Sequence, residues 1–429
     1  MLYISHIKIT DICGFEDISL DLTNDNDDVV KVATILGDNG TGKTTILRSI
    51  VMGLCDAASS TGLLQELYGD FIRIDNDQGT IHVAFMSKED ETKEYWIKTT
   101  LSKTAADYTK VEQETFPDPF PWDDIFVCGY GAARGRYATR DYREYSVVDA
   151  AYSLFNYDSP LQNSELIIRR IKDLDEPGSN KVLEKLLNSF DKILMLSDGS
   201  VTLGREGLSV KGFWGKMPLS SLSDGYRATA AWLADFYGWI MFYEEQMFFD
   251  EHFSGIVLLD EIEQHLHPSW QRKIVRLLNQ QFPKIQFIIT THSPLVAANV
   301  NKLFNDDFDS KLLRARYEEN KSIVSEVEEN LGELDVDQIL SSEAFDLFEV
   351  NTKVAEVLRE ASELAAKDNK TPEEEERLDA FKIELKKIMF PEGRTLIERL
   401  AYRDYYSQLE EEIDSFQETL RTPRGLSSA

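Results

Sequence analysis

Gly37-Asp-Asn-Gly-Thr-Gly-Lys43-Thr44-Thr45 decides how this chain folds. It follows a short apolar strand, Val29–Leu36, and opens a helix running to about Ala57. A G-x-x-x-x-G-K-[ST] run between a strand and a helix is a phosphate-wrapping turn. Its glycines let successive backbone N–H groups face inward, and the helix N-terminus adds partial positive charge. Asn39, Gly40, Gly42, Lys43, Thr44 and Thr45 are therefore the expected ATP-binding residues. Lys43 would reach the β- and γ-phosphates, and the Thr44 hydroxyl would bind Mg²⁺.

Upstream, apolar residues at Ile4, Ile7 and Ile9, then Phe15, Ile18, Leu20 and Leu22, predict a hairpin of half-buried strands. Downstream, Thr80–Ser87 and Glu94–Leu101 alternate around KEDETK and predict a second hairpin. Ile125–Cys128 reads as a buried strand ending in GYGAARGR. Residues 145–220 read as mostly helical, with Ser179 as a cap for the stripe Leu183, Leu186, Leu187, Phe190, Leu194. An aromatic helix follows from Ala228 to about Met247, its rings read as core rather than as a base-stacking surface. Strands at Ile256–Leu259 and Phe287–Thr290 flank a helix from Pro268 to Phe282, the alternation of a parallel sheet.

Three further motifs fall in order after the phosphate loop. Ile256–Leu259 delivers Asp260 and Glu261 to a strand's C-terminal edge, where open α/β sheets bind ligands. Asp260 suits Mg²⁺, and Glu261 suits polarising an attacking water. Ser223 and Gly225, in Leu222-Ser-Asp-Gly-Tyr-Arg227, open a helix whose N-terminus could grip a γ-phosphate, although a serine N-cap explains the residue equally well. His292, in Thr290-Thr-His-Ser-Pro294, stands at the next strand end, where it could hydrogen-bond a γ-phosphate or serve only as a structural residue. Phosphate loop, Ser-x-Gly helix start, acidic strand end and strand-end histidine is the layout of an ABC ATPase.

On these residues, with LLDEIEQHLHPSWQ and FIITTHSP, the chain resembles the ABC ATPases of the RecF, Rad50 and SMC type over residues 1–300. It is similar in particular to their compact bacterial relatives in anti-phage defence. The resemblance implies an α/β head with a mixed central sheet, an antiparallel β lobe and a helical signature lobe inserted at about 145–250. It also implies that two heads sandwich ATP, so that Ser223 and Gly225 act on the opposite subunit. The chain departs from the family where Asp224 and Tyr226 replace the usual glycine and glutamine of the signature. An acid there disfavours a γ-phosphate unless it points away or meets Arg227, which makes slow hydrolysis the expectation. No Q-loop glutamine is apparent, and the nearest positional candidate is Arg134. A shorter stretch, Val336-Asp-Gln-Ile-Leu340-Ser-Ser342 with Phe345, resembles Septu-type defence ATPases. That likeness implies a homodimer or higher homo-oligomer that controls a separate HNH nuclease and meets nucleic acid through that complex.

Composition narrows the alternatives. With 46 Lys+Arg against 76 Asp+Glu the net charge is −30, which disfavours a broad non-specific DNA-binding face. A DNA-repair ATPase that clamps duplex DNA stays open through a local groove. Residues 301–429, with 18 basic and 32 acidic residues, read as a mainly helical C-terminal tail for assembly or partner docking. Its predicted helices carry Leu378, Phe381, Leu385 and Ile388, then Leu396 to Leu420, with Thr371-Pro372 and Glu374 as a capping box. Asp335-Val-Asp337 invites comparison with the metal-binding pair of an OLD-type nuclease, but a helical tail leaves little room for that nuclease's sheet. No histidine follows His292, so no H-N-H pattern lies in the tail. A transporter subunit is disfavoured by the HLHP loop and the tail. Three scattered cysteines and the lack of a membrane-length apolar run lead to the expectation of a cytoplasmic protein without membrane contact.

Overall fold

Alternating apolar residues build β1 (Leu2–Ile12) and β2 (Phe15–Asp21), an antiparallel pair that buries Ile7, Ile9, Phe15 and Leu20. After β3 (Val32–Gly37) come α1 (Lys43–Leu54) and α2 (Ala57–Gln65). The chain then returns with β4 (Gln78–Ser87), β5 (Tyr95–Lys103) and β6 (Thr109–Phe116). These complete an antiparallel sheet of order β2-β1-β4-β5-β6. Helix α1 lays Ile46, Leu47, Ile50 and Val51 into the core shared with this sheet, each fully buried. Side chains of this size each contribute about 1.5–3 kcal/mol on full burial, so the phosphate loop is anchored through its helix.

The computed structural model describes residues 1–67, 70–87, 93–104, 109–134, 137–138, 144–173, 179–205, 207–212, 214–243, 253–300, 309–334, 336–342, 344–345, 371 and 377–381. Two units are distinguished, Met1–Asp346 and Leu347–Ala429. In the second, Arg377 lies over the Phe381 ring at 5.5 Å within a helical turn. The rest of the predicted tail helices lie outside the described residues.

The chain continues through β7 (Val127–Tyr130), β8 (Tyr137–Ala138), α3 (Val147–Ala151), β9 (Leu161–Gln162), α4 (Ser164–Asp173) and α5 (Ser179–Ile193). Next, β10 (Val201–Gly204), β11 (Gly207–Gly212) and β12 (Gly215–Pro218) form an antiparallel sheet inside a region expected to be mostly helical. The signal was present: Val201, Leu203, Leu208 and Val210 alternate, and Gly207 and Gly215 take positive φ at the two turns. Helix α6 (Asp224–Tyr243) then buries Trp232, Phe236 and Trp239, as expected of core aromatics.

Strand β13 (Gly255–Leu259), helices α7 (Pro268–Gln271) and α8 (Ile274–Gln281), and strand β14 (Ile285–Thr291) follow. The predicted Pro268–Phe282 helix is thus two pieces, with Lys273 outside helical geometry. After α9 (Pro294–Ala297) come β15 (Ser310–Glu318), β16 (Lys321–Glu326) and α10 (Val336–Ser341). The second sheet has the order β16-β15-β3-β14-β13-β7 and is parallel from β15 to β7.

That order corrects the boundary expected at residue 300. Residues 310–326 are not helical tail. They are strands of the head, β15 running parallel to β3 from Ser310 opposite Val32 to Ala315 opposite Gly37. Charged residues masked the pattern, because Arg314 is buried and Lys311 is paired with Glu326 at 3.0 Å. The two sheets are tied by Gln286 of β14. Its amide accepts from Ile4 N at 2.9 Å and donates to Ile4 O at 2.7 Å, next to a register shift in β1.

Candidate functional site

The parallel order places the C-terminal ends of β3, β14 and β13 side by side, so three distant motifs meet. At the end of β3, Gly42 has φ +96 and a β-carbon there would meet the Phe15 ring at 2.5 Å. Only glycine fits that approach. Asn39 and Gly40 lie exposed at the loop tip, and Thr45 lies half-buried one turn along. Lys43 is buried, and its Nζ donates to Gly37 O and Asp38 O, both at 2.8 Å. Burial lowers its pKa, while Asp260, Glu261, Glu263 and Asp38 oppose that shift.

Thr44 Oγ1 donates to Asp260 Oδ2 at 2.8 Å. Thr290 Oγ1 donates to Asp260 Oδ1 at 2.6 Å and accepts from Glu261 N at 2.8 Å. Both oxygens of the Asp260 carboxylate are therefore held. His292 Nδ1 lies 3.4 Å from Lys43 Nζ, and His292 Nε2 lies 3.6 Å from Glu261 Oε1. Lys43, Thr44, Asp260, Glu261 and His292 thus form one cluster. The Thr44 hydroxyl and Asp260 carboxylate are hard oxygen donors of the kind Mg²⁺ uses when phosphates and water supply its other ligands. The residues present fit that ion.

Residues the motif reading passed over complete the frame. Glu263 accepts from Thr291 Oγ1 at 2.8 Å and from His292 N at 2.5 Å, which fixes the histidine's backbone. Thr290 and Glu263 stand in the quoted motifs, TTHSP and DEIE, but nothing in one sequence marks them as partners. Arg134 is buried beneath the site and donates from Nη2 to Asp260 O at 2.8 Å and Glu261 O at 2.5 Å.

Ser223 and Gly225 are not part of this cluster. Ser223 is exposed at the start of α6, while Gly225 packs against the backbone of His265. Asp224 is exposed and ion-paired with Arg227, whose hydrogen bond and charge pull its pKa down. The acid expected to disturb a γ-phosphate thus has a cation of its own. His267 accepts from Ser269 N as an N-cap, and His265 adopts positive φ in the loop under α6. Both histidines thus shape the loop that follows Glu261.

Sheet order, phosphate-loop motif, carboxylate pair and strand-end histidine thus converge at one edge of the parallel sheet, the arrangement that the resemblance to ABC ATPases implies. A family model described as "AAA domain, putative AbiEii toxin, Type IV TA system" matches residues 130–298. The chain is similar to the Septu protein PtuA of Bacillus mycoides, with 24% identity over 94% of this chain and 53% of that protein. It therefore spans about half the length of that relative. A shorter segment is 55% identical over 64 residues, 14% of this chain and 12% of the relative, to a retron Vc95 probable ATPase of Vibrio cholerae. Among solved structures, the SMC head domain of Thermotoga maritima aligns at a TM-score of 0.44 and 16% identity, covering 76% of this chain and 99% of that one. Among the described residues, no helix is long and apolar enough to cross a membrane.

Proposed function

We propose that this chain binds and slowly hydrolyses ATP with Mg²⁺, and that it does so as a head-to-head homodimer. The observation that carries the reading is the Thr44–Asp260 hydrogen bond, which joins phosphate loop and acidic strand beside Glu261 and His292. Mg²⁺, when bound, offsets charge on the β- and γ-phosphates. Lys43, now seated on two loop carbonyls, turns its ammonium to the same phosphates. Glu261 orients the attacking water and accepts its proton, and His292 holds the γ-phosphate side. Ser223 and the Gly225 N–H close the site of the opposite subunit, a reading that the exposure of Ser223 supports.

The Septu likeness, together with the acidic tail beyond the head, supports a regulatory role in anti-phage defence. In this reading the ATPase restrains or releases a separate nuclease of the HNH type in the cytoplasm, and nucleic acid is met through that complex. Purification of the full chain from cells carrying its native gene neighbours tests it. A co-purifying nuclease and ATP turnover abolished by Lys43→Ala support the reading; a pure homodimer with no nuclease beside it sinks the regulatory part, and absent turnover sinks the enzymatic part.

A further inference from the structure

We propose that Arg134 is a positioning residue for Glu261, acting through the backbone rather than on nucleotide. The proposal rests on the ATPase reading above. The pairing of β13 ends at Leu259, opposite Ile289 on one side and Tyr130 on the other. The carbonyls of Asp260 and Glu261 therefore lie past the ladder and need donors from elsewhere. Glu261 O, only part-buried, also accepts from Gln264 N at 3.0 Å, while the buried Asp260 O relies on the Arg134 side chain. One guanidinium nitrogen, Arg134 Nη2, serves both, at 2.8 Å and 2.5 Å.

The grip matters because Glu261 has φ +47, a left-handed backbone that costs a residue with a β-carbon and persists only where its surroundings impose it. Four contacts impose it: Thr290 Oγ1 on Glu261 N, Arg134 on the two carbonyls, and Gln264 N on Glu261 O at 3.0 Å. This backbone carries the Glu261 carboxylate to 3.6 Å from His292. Burial pulls the pKa of Arg134 down to about 10, so it stays a cation at neutral pH, and Asp260, Glu263 and Glu261 surround it with opposite charge. Arg134 also lines a small cavity with Ala228 and Trp232 of α6 and with His265, between the signature helix and the Glu261 loop. Lysine, a point charge on a flexible stem, would not hold both carbonyls in the same way.

The test uses the full chain and reads both rate and bound nucleotide. Arg134→Ala should lower kcat about 30-fold while ATP affinity moves less than about threefold, the split expected of a group acting only on the chemical step. Nucleotide recovered on the protein should be ATP, as for Glu261→Gln, whereas the unaltered chain should hold ADP. Arg134→Lys should fold and fall between the two, and it carries the same comparison if the alanine variant does not fold. Unchanged kcat, or ATP affinity falling in step with kcat, would overturn the proposal. If the unaltered chain neither binds nor hydrolyses ATP, the ATPase reading itself fails, which is a separate outcome.

Discussion

Thr44 donates its hydroxyl proton to Asp260 across 2.8 Å, although 216 residues separate them in the chain. The bond ties the first turn of α1 to the end of β13 and joins the two oxygen donors that suit Mg²⁺. Thr44→Val keeps the side-chain shape and removes the oxygen. We expect the Mg²⁺-dependent part of ATP affinity to fall about tenfold, on the scale of one hydrogen bond to a charged group. Titrations with and without Mg²⁺ check this, and equal losses under both conditions would place the hydroxyl elsewhere.

Lys43 is buried and shares its protons between two loop carbonyls. Lys43→Ala removes the cation proposed to meet the phosphates. ATP affinity should drop about 20-fold or more, corresponding to roughly 2 kcal/mol for a charge-assisted bond. Unchanged affinity in a nucleotide-binding assay would contradict the assigned phosphate loop.

Glu261→Gln leaves the size of the side chain unchanged and abolishes its ability to accept a proton. Turnover should fall by about 100-fold or more, with ATP binding retained. Light scattering in ATP should then show a persistent dimer. A monomer under these conditions would remove the head-to-head arrangement.

The exposed Ser223 should act on the partner subunit's site. Ser223→Arg and Lys43→Ala should each be inactive alone. Mixed in equal amounts and allowed to exchange, they should recover about a quarter of normal turnover, because half the symmetric dimers are mixed and each mixed dimer has one intact site. No recovery after verified exchange would place Ser223 outside the site.

Asp235 sits inside α6, accepting from the Tyr130 hydroxyl at 3.0 Å and from Gln162 N at 2.8 Å. Burial raises its pKa from 3.8 to about 6. Between those values the folded chain holds a proton that the unfolded chain releases. The group's contribution is therefore present at low pH and is lost as pH rises through the folded value. Asp235→Asn keeps acceptor and shape without the charge. The fall in stability from pH 5 to pH 8 should be smaller in the variant by about 1 kcal/mol, measured by urea unfolding. An identical pH profile would contradict the buried carboxylate's role.

Local chemistry by itself was enough for much of this protein. The glycine run before Lys43, the apolar run before Asp260 and the residues around His292 are short-range patterns whose physics lies within a few neighbours. They pointed to the phosphate loop, the acidic strand end and the helical aromatic core, and hence to the resemblance to ABC ATPases. What they left undecided needed long-range pairing. The β10–β12 sheet, whose alternation is weak, and the strands at 310–326 were settled by pairing, because short runs and buried charges stabilise nothing until partners arrive. Only the parallel register of β3, β14 and β13 brings Thr44, Thr290 and Glu263 to their partners, and only the pairing of β13 with β7 brings Arg134 to its two carbonyls. A hydrogen bond depends on distances of a few tenths of an ångström, and those distances are set by the packing of elements hundreds of residues apart.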